Sequence, residues 1–252
     1  MNLDAVSDEQ LGEVLLAMDA AERTDALSRL ARDELTCVLC KISQRTLIAL
    51  GRRGEASLGT YRTRLTKRER VRGVMTAPQT LAVTVRRHPP AFRIDFVKGS
   101  NAGRRVLYNA ELRRDEIRVK EAGILGFAGA LWLHLDNALT RGDTNHRATE
   151  VGFGALLDLI EGDMRKAEAA GGHVRRDEGF DDAGVFRSVY DAPPGAVGLY
   201  AVSTRIGFDV KRCLPVDVEV YDSLGLLESH RYDDVEEVTV DADAFTPKGA
   251  GL

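Results

Sequence analysis

The apolar residues of the first 52 positions recur with the spacing of amphipathic helices. Ser7 and Gln10 have the residue types of a capping box, in which side chains satisfy exposed amides at a helix start. The stripe that follows has the i, i+3, i+4, i+7 spacing of one helix face and consists of Leu11, Val14, Leu15 and Met18. Two further helical runs follow. We therefore predict an extra N-terminal helical segment over residues 1–52.

The period falls to two between residues 57 and about 140, as is typical of half-buried strands. A long strand is predicted from Tyr61 to Val71. Two shorter strands alternate apolar with polar residues, and their apolar positions are Leu81, Val83, Val85, Phe92, Ile94 and Phe96. This pattern predicts an antiparallel meander with one buried face and one solvated face.

A strongly apolar stripe predicts a helix over residues 149–170, after which strand patterns resume. Residues 123–135 are apolar on both sides and fit either a buried strand pair or a short core helix. Residues 241–252 are predicted to be a loose tail. The fold class is therefore α+β: a strongly curved antiparallel sheet, an unclosed half-barrel, around inserted helices. We assign residues 53–252 to this open β-barrel domain.

Composition excludes several classes of protein. The chain has 252 residues, 44% hydrophobic, with 35 basic against 39 acidic residues. These values exclude a disordered or membrane-embedded chain, and the charge balance predicts no nucleic-acid partner. Residues 1–20 are acidic and lack the apolar core of a secretion signal. Either the protein is cytoplasmic with Met1 as its true start, or a signal peptide has been removed.

Cysteine and histidine spacing gives no support for a metal site or a cofactor. Three cysteines are too few for a disulfide framework. Cys37 and Cys40 form a CxxC pair within a helical run, and no second ligand pair accompanies it, so we interpret both as packing or incidental residues. None of the five histidines lies at metal-binding spacing from another, although Glu228 and His230 share a strand face. We predict no catalytic residues, no metal and no enzymatic activity.

The predicted strand from Tyr61 to Val71 has two unlike faces. One face is rich in arginine. We interpret it as a solvated outer face that acidic residues of neighbouring strands neutralise, in preference to a nucleic-acid-binding patch. The other face places Lys67 and Glu69 among apolar residues, where a buried charge requires a partner. These two residues form either a structural ion pair or a polar anchor in a ligand cavity.

Residues 58–73, which include Lys67-Arg68-Glu69-Arg70-Val71-Arg72-Gly73, resemble the opening signature of a bacterial family of uncharacterised domains. Residues 87–92, 103–108 and 214–222 resemble later pieces of that family in the same order. The resemblance spans roughly residues 57–246. It implies a fold like that of the outer-membrane lipoprotein carriers and receptors, the LolA/LolB-like fold, and a location in the periplasm or cell envelope. Those carriers hold acyl chains in an apolar cavity without performing chemistry.

The resemblance and the strand pattern together predict a non-enzymatic envelope protein that binds an acyl chain, a lipid or a lipoprotein. Lys67, Glu69 and Arg70 would anchor a polar head near the cavity mouth. The apolar lining would consist of Leu65, Leu81, Val83, Val85, Phe92, Ile94, Phe96, Leu131 and Trp132. One alternative is an interaction module with a filled barrel, whose N-terminal helices dock a protein partner. A second alternative is a hydrolase that uses Glu69 or His230.

Overall fold

The computed structural model of this chain describes residues 7–137 and 144–252, and these residues form an α+β fold. Five α-helices and twelve β-strands occur in the described residues, and every described strand pair is antiparallel. The first six residues of the predicted N-terminal segment and residues 138–140 at the end of the predicted meander lie outside the described part, as do residues 141–143. None of the described helices is long and apolar enough to cross a membrane.

The chain groups into two compact units. The helix-rich unit comprises the chain up to Ser57 together with Leu156–Gly225. The strand-rich unit comprises Leu58–Ala155 and Leu226–Leu252. The predicted assignment of residues 53–252 to one open β-barrel domain stays a prediction.

Four helices form the N-terminal part of the helix-rich unit. The predicted capping box is confirmed, because Ser7 Oγ accepts a hydrogen bond from the Gln10 amide at 3.3 Å. The predicted third helix is two helices, because Ile42 is extended and Ser43 Oγ caps a new helix by accepting from the Thr46 amide at 3.0 Å. The helices are α1 (Asp8–Ala17), α2 (Ala20–Ser28), α3 (Arg32–Lys41) and α4 (Gln44–Ser57).

The apolar stripe of α1 is buried inside the helix-rich unit. Leu11 and Leu15 are 0% and 3% exposed. They share a core cluster with Leu39, Phe186 and Phe208. The stripe is therefore internal packing within this unit.

The remaining elements of the helix-rich unit are one helix and four strands. The predicted helix over residues 149–170 is shorter at both ends and forms α5 (Phe153–Glu168), most of which belongs to this unit. The strands lie in the order β11-β10-β9-β8. Their bounds are β8 (Val174–Phe180), β9 (Phe186–Asp191), β10 (Ser203–Asp209) and β11 (Leu214–Asp222).

The strand-rich unit contains seven strands in the order β7-β6-β5-β4-β3-β1-β12, and a short β2 pairs with β1. The predicted meander is confirmed, and the register places Leu65 opposite Leu81 and Leu81 opposite Phe96. The bounds are β1 (Thr60–Val71), β2 (Val74–Met75), β3 (Gln79–Arg86), β4 (Ala91–Lys98), β5 (Arg105–Asn109), β6 (Glu116–Lys120), β7 (Leu131–His134) and β12 (Gly225–Glu237).

Residues 123–135 are neither a buried strand pair nor a core helix. They form a 3-10 helix, Gly123–Ala128, followed by β7. Ile124 and Phe127 are 87% and 91% exposed. The prediction of burial was wrong for Ile124 and Phe127, because apolar composition alone does not indicate whether another element covers a short segment.

The chain terminus is not a loose tail, contrary to the prediction. Phe245 and Ala250 are buried and form a small core with Ala91 and Leu107. Asn109 Nδ2 also donates to the carbonyl oxygen of Phe245 at 3.1 Å. The last residues therefore cover one part of the sheet in the strand-rich unit.

We expect Phe245→Ala to destabilise the protein by about 3–5 kcal/mol, because it leaves a cavity against Leu107. Phe127→Ala is a matched control, since the exposed Phe127 loses almost no packing; we expect a change within about 0.5 kcal/mol. Urea unfolding measures both. Equal stability of the two variants would mean that the terminus is not part of the core.

Candidate functional site

A cavity of about 100 Å³ lies in the strand-rich unit. One wall is apolar and is formed mainly by strands β1 and β3 to β7, with Val151 and Tyr232. Polar side chains line one end of the cavity, which we call the polar end. Its side chains are Lys67, Glu69, Gln79, Arg104, Glu121, Thr144, His146, Arg147, Glu150 and His230. The cavity is therefore amphipathic.

Six of the twelve predicted ligand-binding residues line this cavity. They share the inward face that the alternation predicts, since cross-strand neighbours in register project to the same side of a sheet. They are Leu65, Lys67, Glu69, Leu81, Ile94 and Phe96. Their role in binding a ligand stays a prediction.

Val83, Val85 and Phe92 lie on the same face but do not line the cavity. Tyr61, which is opposite Val85 in the register, packs with Phe153 and fills this end of the face. Their ring centroids lie 5.5 Å apart. Tyr61 Oη accepts a hydrogen bond from the Phe153 amide at 3.1 Å. A Cβ on the preceding residue, Gly152, would lie 2.5 Å from Tyr61 Oη, and its φ of +92° also favours glycine.

Arg70, predicted as a head-group anchor, and Leu131 and Trp132, predicted as apolar lining, do not line this cavity. Their role in binding a ligand also stays a prediction. Arg70 follows Glu69 on β1 and therefore projects to the other face, where its Nε donates to the Leu226 carbonyl oxygen. Trp132 alternates with the lining residue Leu133 and instead stacks with Arg113 and Arg118, whose guanidinium carbons lie 4.6 and 5.4 Å from its ring centroid. Leu131, on the edge strand β7, is 56% exposed.

The arginine-rich face of β1 is partly neutralised by the adjacent strand. Arg64 Nη2 lies 2.7 Å from Asp234 Oδ2, and Arg62 is in register with Glu236 of β12. Both ends of the Arg64–Asp234 pair are more than half exposed. This arrangement favours the solvated interpretation of the face.

Glu69 is the most deeply buried charged residue at the polar end, at 2% exposure. Lys67 Nζ donates to its carboxylate at 2.6 Å. Two groups from a distant part of the chain also donate to it: Thr144 Oγ1 at 2.9 Å and the Asn145 amide at 2.6 Å. The predicted Lys67–Glu69 pair is therefore confirmed as an ion pair, and it is extended by Thr144 and Asn145.

These donors keep Glu69 ionised. Burial alone would raise the pKa of the Glu69 carboxyl, but the His230 imidazole 3.9 Å away, Lys67 and the Asn145 amide hold it well below its usual range. A carboxyl that serves as a general acid near neutral pH has the opposite shift.

A second polar cluster contains His146, Glu228 and His230. His146 Nε2 lies 2.8 Å from Glu228 Oε2, and His146 Nδ1 lies 3.1 Å from Glu150 Oε2. Burial would lower the pKa of His146, but Glu228 above all, with Glu69 and Glu150, raises it to about 9. The imidazole is therefore protonated at neutral pH and bridges two carboxylates.

Sequence reasoning missed His146, Glu150 and Thr144. They lie in an irregular stretch that no period describes, about 80 residues before β12. The available signal was the density of polar residues in this stretch, together with the shared strand face of Glu228 and His230. That signal does not identify which strand the stretch approaches.

Cys37 and Cys40 are free thiols on α3. Burial, followed by the nearby Asp177, raises the pKa of the Cys40 thiol. Reactive cysteines have lowered pKa values, so this environment does not favour a redox role.

Similar solved structures share little sequence with this chain. The lipoprotein LppX from Mycobacterium tuberculosis is 16% identical with a TM-score of 0.46, over 79% of this chain and 100% of that chain. A LolA superfamily protein from Nitrosomonas europaea is 11% identical with a TM-score of 0.36, over 82% and 99%. A chain of the Pseudomonas aeruginosa MucA/MucB complex is 10% identical with a TM-score of 0.45, over 81% and 60%.

A sequence model places most of the chain in one family. The model of the family described as "Protein of unknown function (DUF1571)" matches residues 58–250. Among curated proteins none matches. The chain therefore belongs to this family of uncharacterised domains, and the resemblance expected over residues 57–246 is confirmed.

We expect Lys67→Met to destabilise the protein by about 3 kcal/mol, because it leaves a buried carboxylate without its cation. This value is at the low end for a broken buried pair, since Thr144 and Asn145 still donate to Glu69. Lys98→Met, at an exposed position on β4, is the control and should change stability by at most about 0.5 kcal/mol. Urea unfolding at pH 7 would contradict the expectation if the two variants were equally stable.

The lowered pKa of Glu69 also predicts a pH dependence. A group whose folded pKa is depressed stabilises the fold above its unfolded pKa, near 4.5, and loses that contribution as the pH falls further. The difference in unfolding free energy between the wild type and Glu69→Gln should therefore shrink from pH 5 to pH 3, as measured by urea unfolding at each pH. A difference that stays constant would show that Glu69 has an ordinary pKa.

Proposed function

We propose that this DUF1571 protein is a non-enzymatic binding protein of the cell envelope that holds the apolar part of a lipid-like ligand in its strand-rich unit. The amphipathic cavity is the observation that carries the proposal. Ligand sites combine a mainly apolar wall with a few polar groups that fix orientation, and this cavity has that arrangement. An unclosed half-barrel, as proposed for this sheet, would leave such a concave apolar face accessible.

The cavity volume limits what can enter it. Ligand sites for drug-sized molecules have volumes of about 300–1,000 Å³, whereas this cavity measures about 100 Å³. An engineered apolar cavity of about 150 Å³ binds benzene. The cavity therefore accommodates a short alkyl group, and a long acyl chain would extend beyond it or widen it.

The polar end offers hydrogen bonds more than a net charge. Lys67 is paired with Glu69, and Arg104 Nε donates to Glu121 Oε2 at 2.9 Å. A head group that both donates and accepts hydrogen bonds suits these compensated pairs. Of the predicted head-group anchors, we propose this role for Lys67 and Glu69.

Two structural observations weigh against the alternatives. A partner docked on the α1 stripe would require Leu11 and Leu15 to be exposed, and both are buried. A hydrolase acting through Glu69 as an acid would require a raised pKa, and the pKa of Glu69 is lowered. Lipid-like ligand binding is therefore the function that this geometry supports best.

The test is binding of amphiphiles of graded chain length to delipidated protein, measured by native mass spectrometry and calorimetry. We expect affinity to rise with chain length up to about six carbons and then to rise more slowly, because only the first methylenes are fully buried. Fatty acids, their methyl esters and monoacylglycerols of equal length separate the contribution of the head group from that of the chain.

A matched pair of variants localises the site. Val106→Phe places a larger side chain on the cavity wall, and we expect it to weaken binding at least tenfold. Val97→Phe makes the same change at a half-exposed position on β4 outside the cavity and should leave affinity unchanged. Binding that is equal in both variants, or absent from the wild type, would refute the proposal.

A further inference from the structure

We propose that His146, Glu228 and His230 form a binding site for one divalent transition-metal ion, of which zinc suits the donor set best. His146 and His230 line the polar end of the cavity, and Glu228 lies beside His146. The proposal is independent of ligand binding, because it rests on these side chains and their neighbours and not on an occupied cavity.

The geometry of the donors is close to that of a zinc site. One donor atom from each residue lies within 4.8 Å of the other two, and His146 Nε2 is 2.8 Å from Glu228 Oε2. Tetrahedral zinc at about 2.0–2.2 Å from its ligands places them about 3.4 Å apart. Side-chain shifts of about an ångström would therefore bring the three donors to coordination distance.

The Glu150 carboxylate, which contacts the second ring nitrogen of His146, supports this interpretation. His146 Nδ1 lies 3.1 Å from Glu150 Oε2, which also accepts from the Arg147 amide at 3.1 Å. Metal-binding histidines usually donate their second ring N–H to such a carboxylate, which fixes the tautomer and the ring orientation. A metal ion would take the place of the proton that His146 Nε2 shares with Glu228, while Nδ1–H stays directed at Glu150.

Burial and charge also favour a cation. The side chains of His146, Glu228 and His230 are 12%, 5% and 13% exposed. The buried Glu228 carboxylate requires a compensating positive charge, which His146 supplies here and which a divalent ion would supply in its place. Two histidines and one glutamate are the ligand set of open zinc sites that keep a fourth position for water.

The two halves of the site come from distant parts of the chain. Glu228 and His230 alternate on β12, whereas His146 precedes them by more than 80 residues. The spacing argument that predicted no metal compared residues close in sequence and therefore did not include this combination.

The test titrates ZnCl₂ into the full, tag-free chain after chelator treatment, in competition with a chromophoric chelator. We expect one ion per chain. Glu228→Gln and His230→Gln each remove a ligand and should weaken affinity more than 100-fold, whereas Glu150→Gln should weaken it about 10–100-fold, as is typical for loss of a carboxylate behind a histidine.

The exposed residue His134 provides a matched control, since His134→Gln removes an imidazole outside the cluster and should leave affinity unchanged. The Cys37→Ser, Cys40→Ser double variant excludes thiolate binding. Bound Co²⁺ should show visible d–d absorption without thiolate charge transfer in the wild type. The proposal is overturned if the wild type shows no saturable site, if the double cysteine variant loses it, or if Glu228→Gln and His230→Gln bind zinc as the wild type does.

Discussion

Burial of the Glu69 carboxylate is the constraint on which the site depends. An ionised group at 2% exposure must have its charge and its lone pairs satisfied by the protein. Lys67, two residues earlier on the same strand face, supplies the charge. Thr144 and Asn145 supply hydrogen bonds, and their engagement places His146 beside Glu228. One buried carboxylate thus positions the part of the polar end that residues 144–146 form. A buried ion pair is often no more stabilising than apolar residues of similar volume, so its main effect here is to fix the position of this segment.

The two ends of one sheet face differ because different elements cover them. Leu65 and Leu81 belong to the same alternating face as Val83 and Val85, and nothing in the alternation separates them. Tyr61 and Phe153 fill one end through ring packing and a hydrogen bond to the Phe153 amide, and Gly152 permits the close approach. The other end, bounded by charged groups, remains a cavity. Period-2 patterning therefore predicts which residues face inward but not which of them meet a neighbour.

The parts of the structure that were predictable are those that local physics determines. Ser7 and Gln10 form their capping box regardless of the rest of the chain, and the inward face of β1 and β3 follows from alternation. Lys67 and Glu69 were identifiable because charge on an apolar face requires a partner. His146 was not, because its position depends on contacts formed across about 80 residues of chain. The burial of Phe245 was missed for the same reason, since its partner Leu107 lies far away in sequence.

The small cavity and the polar cluster together indicate which part of the cavity wall can move to admit a larger ligand. Strand walls are held by backbone ladders and by apolar side chains, so separating them would break several hydrogen bonds that nothing else could replace. The segment carrying Thr144, His146 and Glu150 is instead held through side-chain contacts with Glu69 and Glu228. Water, a metal ion or the polar head of a ligand can substitute for such contacts at lower cost, because each offers the same donors, acceptors or charge. Widening of the cavity should therefore begin at this segment, where the fold relies on polar contacts.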